Sequence, residues 1–229
     1  MTMPRQNTDA MRALQAMEDT SSSVRLRAAL AVGTVPDPCF VGKLVERCAV
    51  EPEFFVRDML TWALTRHPVS LTLPALFSAV RSERAQARSQ ALHTLSKIGD
   101  RQAWPAITRA LLSDADDEVA RSAWRAAVVL VPGGEESALA TVLATQLGRG
   151  ERETQSSLSQ ALVALGEVIV PALHAATRVS DPRVRAHALA TQRLLRDPDA
   201  GFESAIGEAK RVVALTGAPK ADDENRADR

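Results

Sequence analysis

One spacing constrains this chain more than any other feature. Val24, Val56, Ala87, Val119, Thr154 and Val184 follow one another at steps of 32, 31, 32, 35 and 30 residues. Four residues after each stand Ala28, Leu60, Ala91, Ala123, Leu158 and Ala188; eight after stand Val32, Leu64, Leu95, Ala127, Leu162 and Gln192. Apolar residues at i, i+4 and i+8 share one helix face. A face that returns at this period belongs to stacked helix pairs, each burying its apolar side only against its neighbours. The expectation is an all-α solenoid, a superhelix of about six helix pairs in which the column lies on the second helix of each pair.

Composition sharpens that reading. Hydrophobic residues make up 45% of the 229, enough for a continuous core, yet aromatics are only 3% and Tyr is absent. Such a core is built from Ala, Leu and Val, which lets helices pack closely. Twenty-eight basic residues balance 28 acidic ones, which disfavours a sequence-blind polyanion binder driven by global charge. Cys39 and Cys48 fall on one expected helix about 13 Å apart at 1.5 Å rise per residue, too far for a disulfide. Free thiols suit a reducing compartment. No apolar run approaches the roughly 18 residues of a membrane span, and the N-terminus lacks a secretory layout, so a cytoplasmic protein is expected.

Residues 1–8 are polar and unpatterned and are expected to be flexible; the repeats run over 9–215; the charged segment 216–229 is expected to be disordered. Within the repeats, Asp37-Pro38 reads as an N-cap followed by proline at the first helical position. Pro74, Pro105 and Pro171 recur 13 or 14 residues before the column, which predicts a kink in register within the first helices. The last amphipathic stretch, with Phe202, Ile206, Ala209, Val212, Val213 and Leu215, is expected to cap the stack.

An acidic turn, Val-Arg, a small residue four positions on and Gly or Pro about twelve on make the chain resemble HEAT-like repeats of the phycobilisome-lyase type, over about residues 10–196. The resemblance is most specific in Asp114 to Leu130 and in Asp181 to Leu195, which opens Asp-Pro-Arg-Val-Arg-Ala-His-Ala-Leu. Glu53 to Gly99 also resembles bacterial HEAT-repeat proteins that sometimes follow a MerR-type helix-turn-helix. The resemblance implies an α-solenoid whose second helices line a concave binding surface. It offers few catalytic options here. None of the four histidines is followed by Glu, as a di-iron HEAT-repeat hydroxylase requires. Asp58 and Trp62 are the pair comparable to the concave-face residues of alkylation-repeat glycosylases.

If positions 0, +4 and +8 face the core, +2, +6 and about +10 face the concave side. This places Asp58, Trp62, Arg66, His93, Lys97, Arg121, Arg125 and Gln160 there, on helices about 10 Å apart. Trp and Arg are frequent interface hot spots. The second helices also carry ten cations (Arg25, Arg27, Arg57, Arg66, Arg88, Lys97, Arg121, Arg125, Arg185 and Arg193) against one acid, Asp58. A basic stripe of this kind attracts an acidic peptide or a nucleic-acid backbone. Against it stands a structural reading: the +1 arginines Arg25, Arg57, Arg88 and Arg185 pair with turn acids such as Asp19, Glu51, Glu83 and Asp181. Trp104 and Trp124 read as packing residues. The Asp114, Asp116, Asp117 cluster reads as helix capping, since it lacks the glycine and distal Glu of a calcium loop.

No phosphate loop, nucleophile elbow or Cys/His metal spacing is present. The expected function is a non-catalytic scaffold or adaptor, monomeric, binding a protein partner through its concave face without cofactor, metal or membrane. The alternative is nucleic acid or an acidic small ligand held on the basic stripe. A glycosylase-like or lyase-like enzyme centred on Asp58 and Trp62 is the remote third option.

Overall fold

The computed structural model describes residues 11–217. Every regular element in that range is helical. Residues 11–16 (α1) lead into α2 (Ser22–Thr34), followed by α3 (Phe40–Cys48), α4 (Phe54–Thr65), α5 (Val69–Ala79), α6 (Ala85–Ile98), α7 (Arg109–Leu112) and α8 (Asp117–Leu130). Then come α9 (Glu136–Ala144), α10 (Arg152–Ala164), α11 (Val170–Ala176), α12 (Pro182–Arg196) and α13 (Phe202–Gly217). The contacts divide the chain into two compact units, Met1–Leu139 and Ala140–Arg229.

In the first unit α2, α4, α6 and α8 pack side by side as one layer, while α3, α5 and α7 pair with α4, α6 and α8. In the second, α10 lies beside α12, and α11 and α13 both pack on α12. The columns explain the layering. All six +4 residues are buried, and Val56, Leu60 and Leu64 or Val119, Ala123 and Ala127 run solvent-free along one face. Val24, Val184 and Gln192, in the first and sixth repeats, are half-buried.

A second regularity holds the turns. Each +1 arginine folds back so that Nη1 donates to the carbonyls five and four residues before the column. Arg25 reaches Asp19 and Thr20, both at 2.9 Å. Arg57 reaches Glu51 at 3.0 Å and Pro52 at 2.6 Å. Arg88 does the same to Ser82 and Glu83 at 2.9 Å, and Arg185 to Val179 and Ser180 at 2.9 and 2.5 Å. Where the residue five before the next column position is an acid, the guanidinium also takes it: Arg25 with Glu51, Arg88 with Asp114 at 3.0 Å on both oxygens. Asp19 and Glu83 thus contribute carbonyls to these arginines, and Asp181 caps α12 through Arg183 N at 2.8 Å.

Local expectations are corrected in places. Pro74 alone of the three prolines sits inside an α-helix. Pro105 lies in a 3-10 turn, Arg101–Ala106, that precedes the short α7. Pro171 stands at the start of α11, where its missing N–H breaks no helical bond. Asp37 forms its turn with Cys39 N at 2.9 Å, so α3 starts at Phe40 and Cys39 stays exposed outside it. Cys48, at its end, is buried, and burial pushes its thiol up to about 12. The N-terminal segment 1–8 and the tail from 218 lie outside the described residues; 216 and 217 are the last residues of α13. No single helix among the described residues is long and apolar enough to cross a membrane.

Candidate functional site

The outward face of α4, α6 and α8 carries the side chains that the core excludes. On α8, Val119, Ala120, Ala123, Trp124, Ala126 and Ala127 are all buried, while Arg121 is half-buried and Arg125 and Val129 are exposed. Across this unit the +6 residues Leu30, Trp62 and Arg125 are exposed and His93 is half-buried, whereas at +2 Asp58 is exposed, Leu26 and Arg121 are half-buried and Ser89 is buried. Trp124 donates Nε1–H to the Leu112 carbonyl at 2.8 Å, a packing role. Trp104 is half-buried and donates to Glu135 at 3.1 Å.

Three of the eight candidates meet in one recess. Asp58 of α4, His93 of α6 and Arg125 of α8 line a cavity of about 160 Å³ together with Phe54, Arg57 and Glu118. A wider, shallower recess of about 300 Å³ continues from it, sharing Arg57, Gln90 and Glu118. Burial lowers the His93 pKa, Lys97 and Arg125 lower it further, and Asp58 opposes them. The imidazole is thus neutral near pH 7, able to donate at one nitrogen and accept at the other. Partial desolvation against the recess wall, although the side chain as a whole stays exposed, and the neighbouring Arg121 lower the Arg125 pKa, Glu118 acting in the opposite sense. Its guanidinium, charged at any ordinary pH, donates to Ser122 Oγ at 3.0 Å.

The remaining candidates do not line this recess. Arg121 donates to Glu118 Oε1 at 2.7 Å. Arg66 caps the end of α4 and Lys97 lies in the last turn of α6, both exposed. Trp62 is 37% exposed, and its ring rests on Gly33 of α2, where a Cβ would come within 2.7 Å of the ring atom Cε3. It is half packing residue, half surface. Gln160 is exposed on α10 of the second unit. At the sixth repeat the +2 and +6 positions are Ala186 and Ala190, and both are buried under α13. The capping helix therefore covers the very face on α12 that the spacing assigns to the concave side.

Sequence reasoning passed over Phe54 and Phe55. They are 64% and 75% exposed and pack edge to face at 5.6 Å, and Phe54 lines the Asp58–His93–Arg125 recess. The Arg57 guanidinium lies 5.9 Å from the centre of the Phe54 ring. The signal was present: they precede the column residue Val56 by two and one positions, which no 0/+4/+8 face can bury.

A Ser–His contact also exists, in the second unit. Gly148 N donates to His187 Nδ1 at 2.9 Å, so the ring proton is on Nε2, within 3.0 Å of both Ser159 Oγ and the Gln155 carbonyl. Thr191 gives its proton to the His187 carbonyl at 2.9 Å, so Ser159 donates to Thr191 at 2.8 Å. The serine proton points away from the imidazole, and both side chains are wholly buried. This is a structural network, not a nucleophile with its base.

Residues 56–127 match the family model of HEAT repeats. This segment is a HEAT-repeat domain. It holds α6 whole, most of α4 and α8, and every candidate residue except Gln160. No curated protein matches the chain. Crystal structures of two engineered proteins from a structural genomics consortium are similar to it. One is 19% identical, with 88% of this chain and 97% of that one covered and a TM-score of 0.46. The other is 16% identical, with 84% and 99% covered and the same TM-score of 0.46. Among the described residues no His, Cys, Asp and Glu group is arranged to hold a metal ion.

Proposed function

We propose that the chain is a non-catalytic HEAT-repeat scaffold that binds a protein partner on the α4–α6–α8 face of its first unit. The observation that carries this reading is the exposed Phe54–Phe55 pair at the rim of the Asp58–His93–Arg125 recess. Exposed aromatics beside a hydrogen-bonding pocket are the usual anchors of an interface. The recess is charge-balanced, Arg57 and Arg125 against Asp58 and Glu118, which suits the mixed donors and acceptors of a polypeptide. The basic stripe is weaker than its sequence suggests, since Arg25, Arg88, Arg121 and Arg193 are paired with the carboxylates of Glu51, Asp114, Glu118 and Glu208. That counts against a nucleic-acid backbone. Trp62, Arg66, Lys97 and Arg121, carried by the same three helices, would be further contacts.

The test is affinity capture at low and moderate salt with the wild type beside Phe54→Ser/Phe55→Ser and Arg125→Glu. A defined protein should be retained at moderate salt by the wild type and lost from both variants. Capture of nucleic acid that salt releases, with the Phe variant unaffected, would refute the reading.

A further inference from the structure

We propose that the second unit carries a separate binding site for a single-chain amphiphilic oxyanion, an alkyl carboxylate or phosphate, in the groove between α13 and the N-terminal turns of α10 and α12. The groove encloses about 570 Å³, within the range of small-molecule sites. Its inner wall is apolar: Ala186 of α12 and Ile206 and Val213 of α13 are buried core residues whose remaining surface, with Ala214, lines the cavity. Its rim is cationic, with Arg152, Arg183, Arg185 and Lys210 against one acid, Glu151.

The rim charge is only partly compensated. Arg152 pairs with Glu203 at 2.7 Å. Arg183 and Arg185 hydrogen-bond to backbone carbonyls, Gly150 at 3.4 Å for the first and Val179 and Ser180 for the second. A carbonyl satisfies a donor without cancelling its charge, so a net positive field remains over an apolar floor. α13 is held in place by contacts that leave the groove open: Arg193 with Glu208, Arg152 with Glu203, and the Ala205–Ala209 side against Ala190 and Leu194. A polyanion without an apolar part would leave the floor wet, and a neutral hydrocarbon would leave the cations unmatched. An oxyanion on an alkyl chain satisfies both, with guanidinium groups to fork onto its head. This site shares no residue with the proposed partner face and stands or falls independently of it.

Isothermal titration of the full chain with decyl phosphate below its aggregation concentration should give saturable one-to-one binding. Decanol should bind roughly tenfold more weakly or worse, for want of the charged head. Arg183→Glu and Lys210→Glu, both at exposed positions, should each weaken decyl phosphate by roughly tenfold or more, a change of about 1.4 kcal/mol. Ala214→Phe should weaken it by filling the floor. Thermal unfolding of each variant at the wild-type temperature shows that the fold is kept. The proposal is overturned by non-saturable uptake, by equal binding of decanol, or by wild-type affinity in the reversal variants. It is also overturned if phosphatidic acid vesicles capture the chain while monomeric decyl phosphate does not bind, since that is a membrane surface and not a groove.

Discussion

Arg25 closes on both carboxylate oxygens of Glu51, Nε and Nη2 each at 2.7 Å, across 26 residues of sequence and out of reach of water. Arg47 adds a third donor at 2.9 Å and Glu53 N a fourth at 3.0 Å. Burial alone would raise the Glu51 pKa; the bonds from Arg25, Glu53 N and Arg47 outweigh it and hold the group at about 2. Because the folded pKa lies below the ordinary 4.5, the contribution to stability is complete above that value and is lost as pH falls toward 2. Glu51→Ala leaves Arg25 buried without its counter-charge and should cost about 3–5 kcal/mol. Asp114→Ala breaks the equivalent, more solvated pair with Arg88 and should cost less. Urea denaturation of both variants at pH 7 checks the order.

Gly33 is where α2 lets Trp62 through. A Cβ there meets Trp62 Cε3 at 2.7 Å and the Ala63 Cα at 2.9 Å, and the second contact is backbone that cannot swing aside. Gly33→Ala should therefore destabilise by about 1–3 kcal/mol, although alanine is the better helix former. Displacing the ring should also shift Trp62 fluorescence, seen by comparison with a Trp62→Phe background. A stabilised Gly33→Ala variant would mean that α2 and α4 pack less closely than described.

His187 makes the second unit acid-sensitive. Burial lowers its pKa to about 4, the Gln155 carbonyl pulling weakly the other way. The unfolded chain takes up the proton near the ordinary 6.5, so it binds more protons than the native state between those values, and stability falls as pH is lowered through that window. The full loss is about 3 kcal/mol, levelling off near pH 4. In His187→Gln the slope of stability against pH over this interval should shrink markedly, measured by denaturation at several pH values.

The periodic part of this fold was legible in the sequence because burial itself is periodic. Val56, Leu60 and Leu64 report one helix face by spacing alone, and the +1 arginines report a turn by recurring at one offset. What escaped was non-periodic. Phe54 and Phe55 precede their column and belong to no repeat-wide pattern. Pro105 looked like Pro74, yet it falls in a 3-10 turn because α7 is only four residues long and begins after it. Ala186 and Ala190 occupied concave positions by register, but an alanine surface beside an amphipathic helix is a docking face, and α13 takes it. The recess likewise depends on which of several +2 and +6 side chains converge across three helices, and Asp58, His93 and Arg125 do while Trp62 does not.

The polar contacts between neighbouring second helices use one register twice, with opposite consequences. Thr61 and Thr94 stand at +5 and +7 of adjacent repeats, as do Ser159 and Thr191. Thr94 gives its proton to the Gln90 carbonyl at 2.8 Å, and Thr61 reaches it only at 3.4 Å, long for a hydroxyl pair. Ser159 meets Thr191 at 2.8 Å and stands within 3.0 Å of His187 Nε2. Thr61→Val keeps the shape and removes a poorly satisfied buried hydroxyl, so it should be neutral or stabilising by a few tenths of a kcal/mol. Ser159→Ala removes a well-formed bond to Thr191 and should cost about 1 kcal/mol. Chemical denaturation of the two variants decides it; equal effects would mean that the short and the long contact hold their helices together alike.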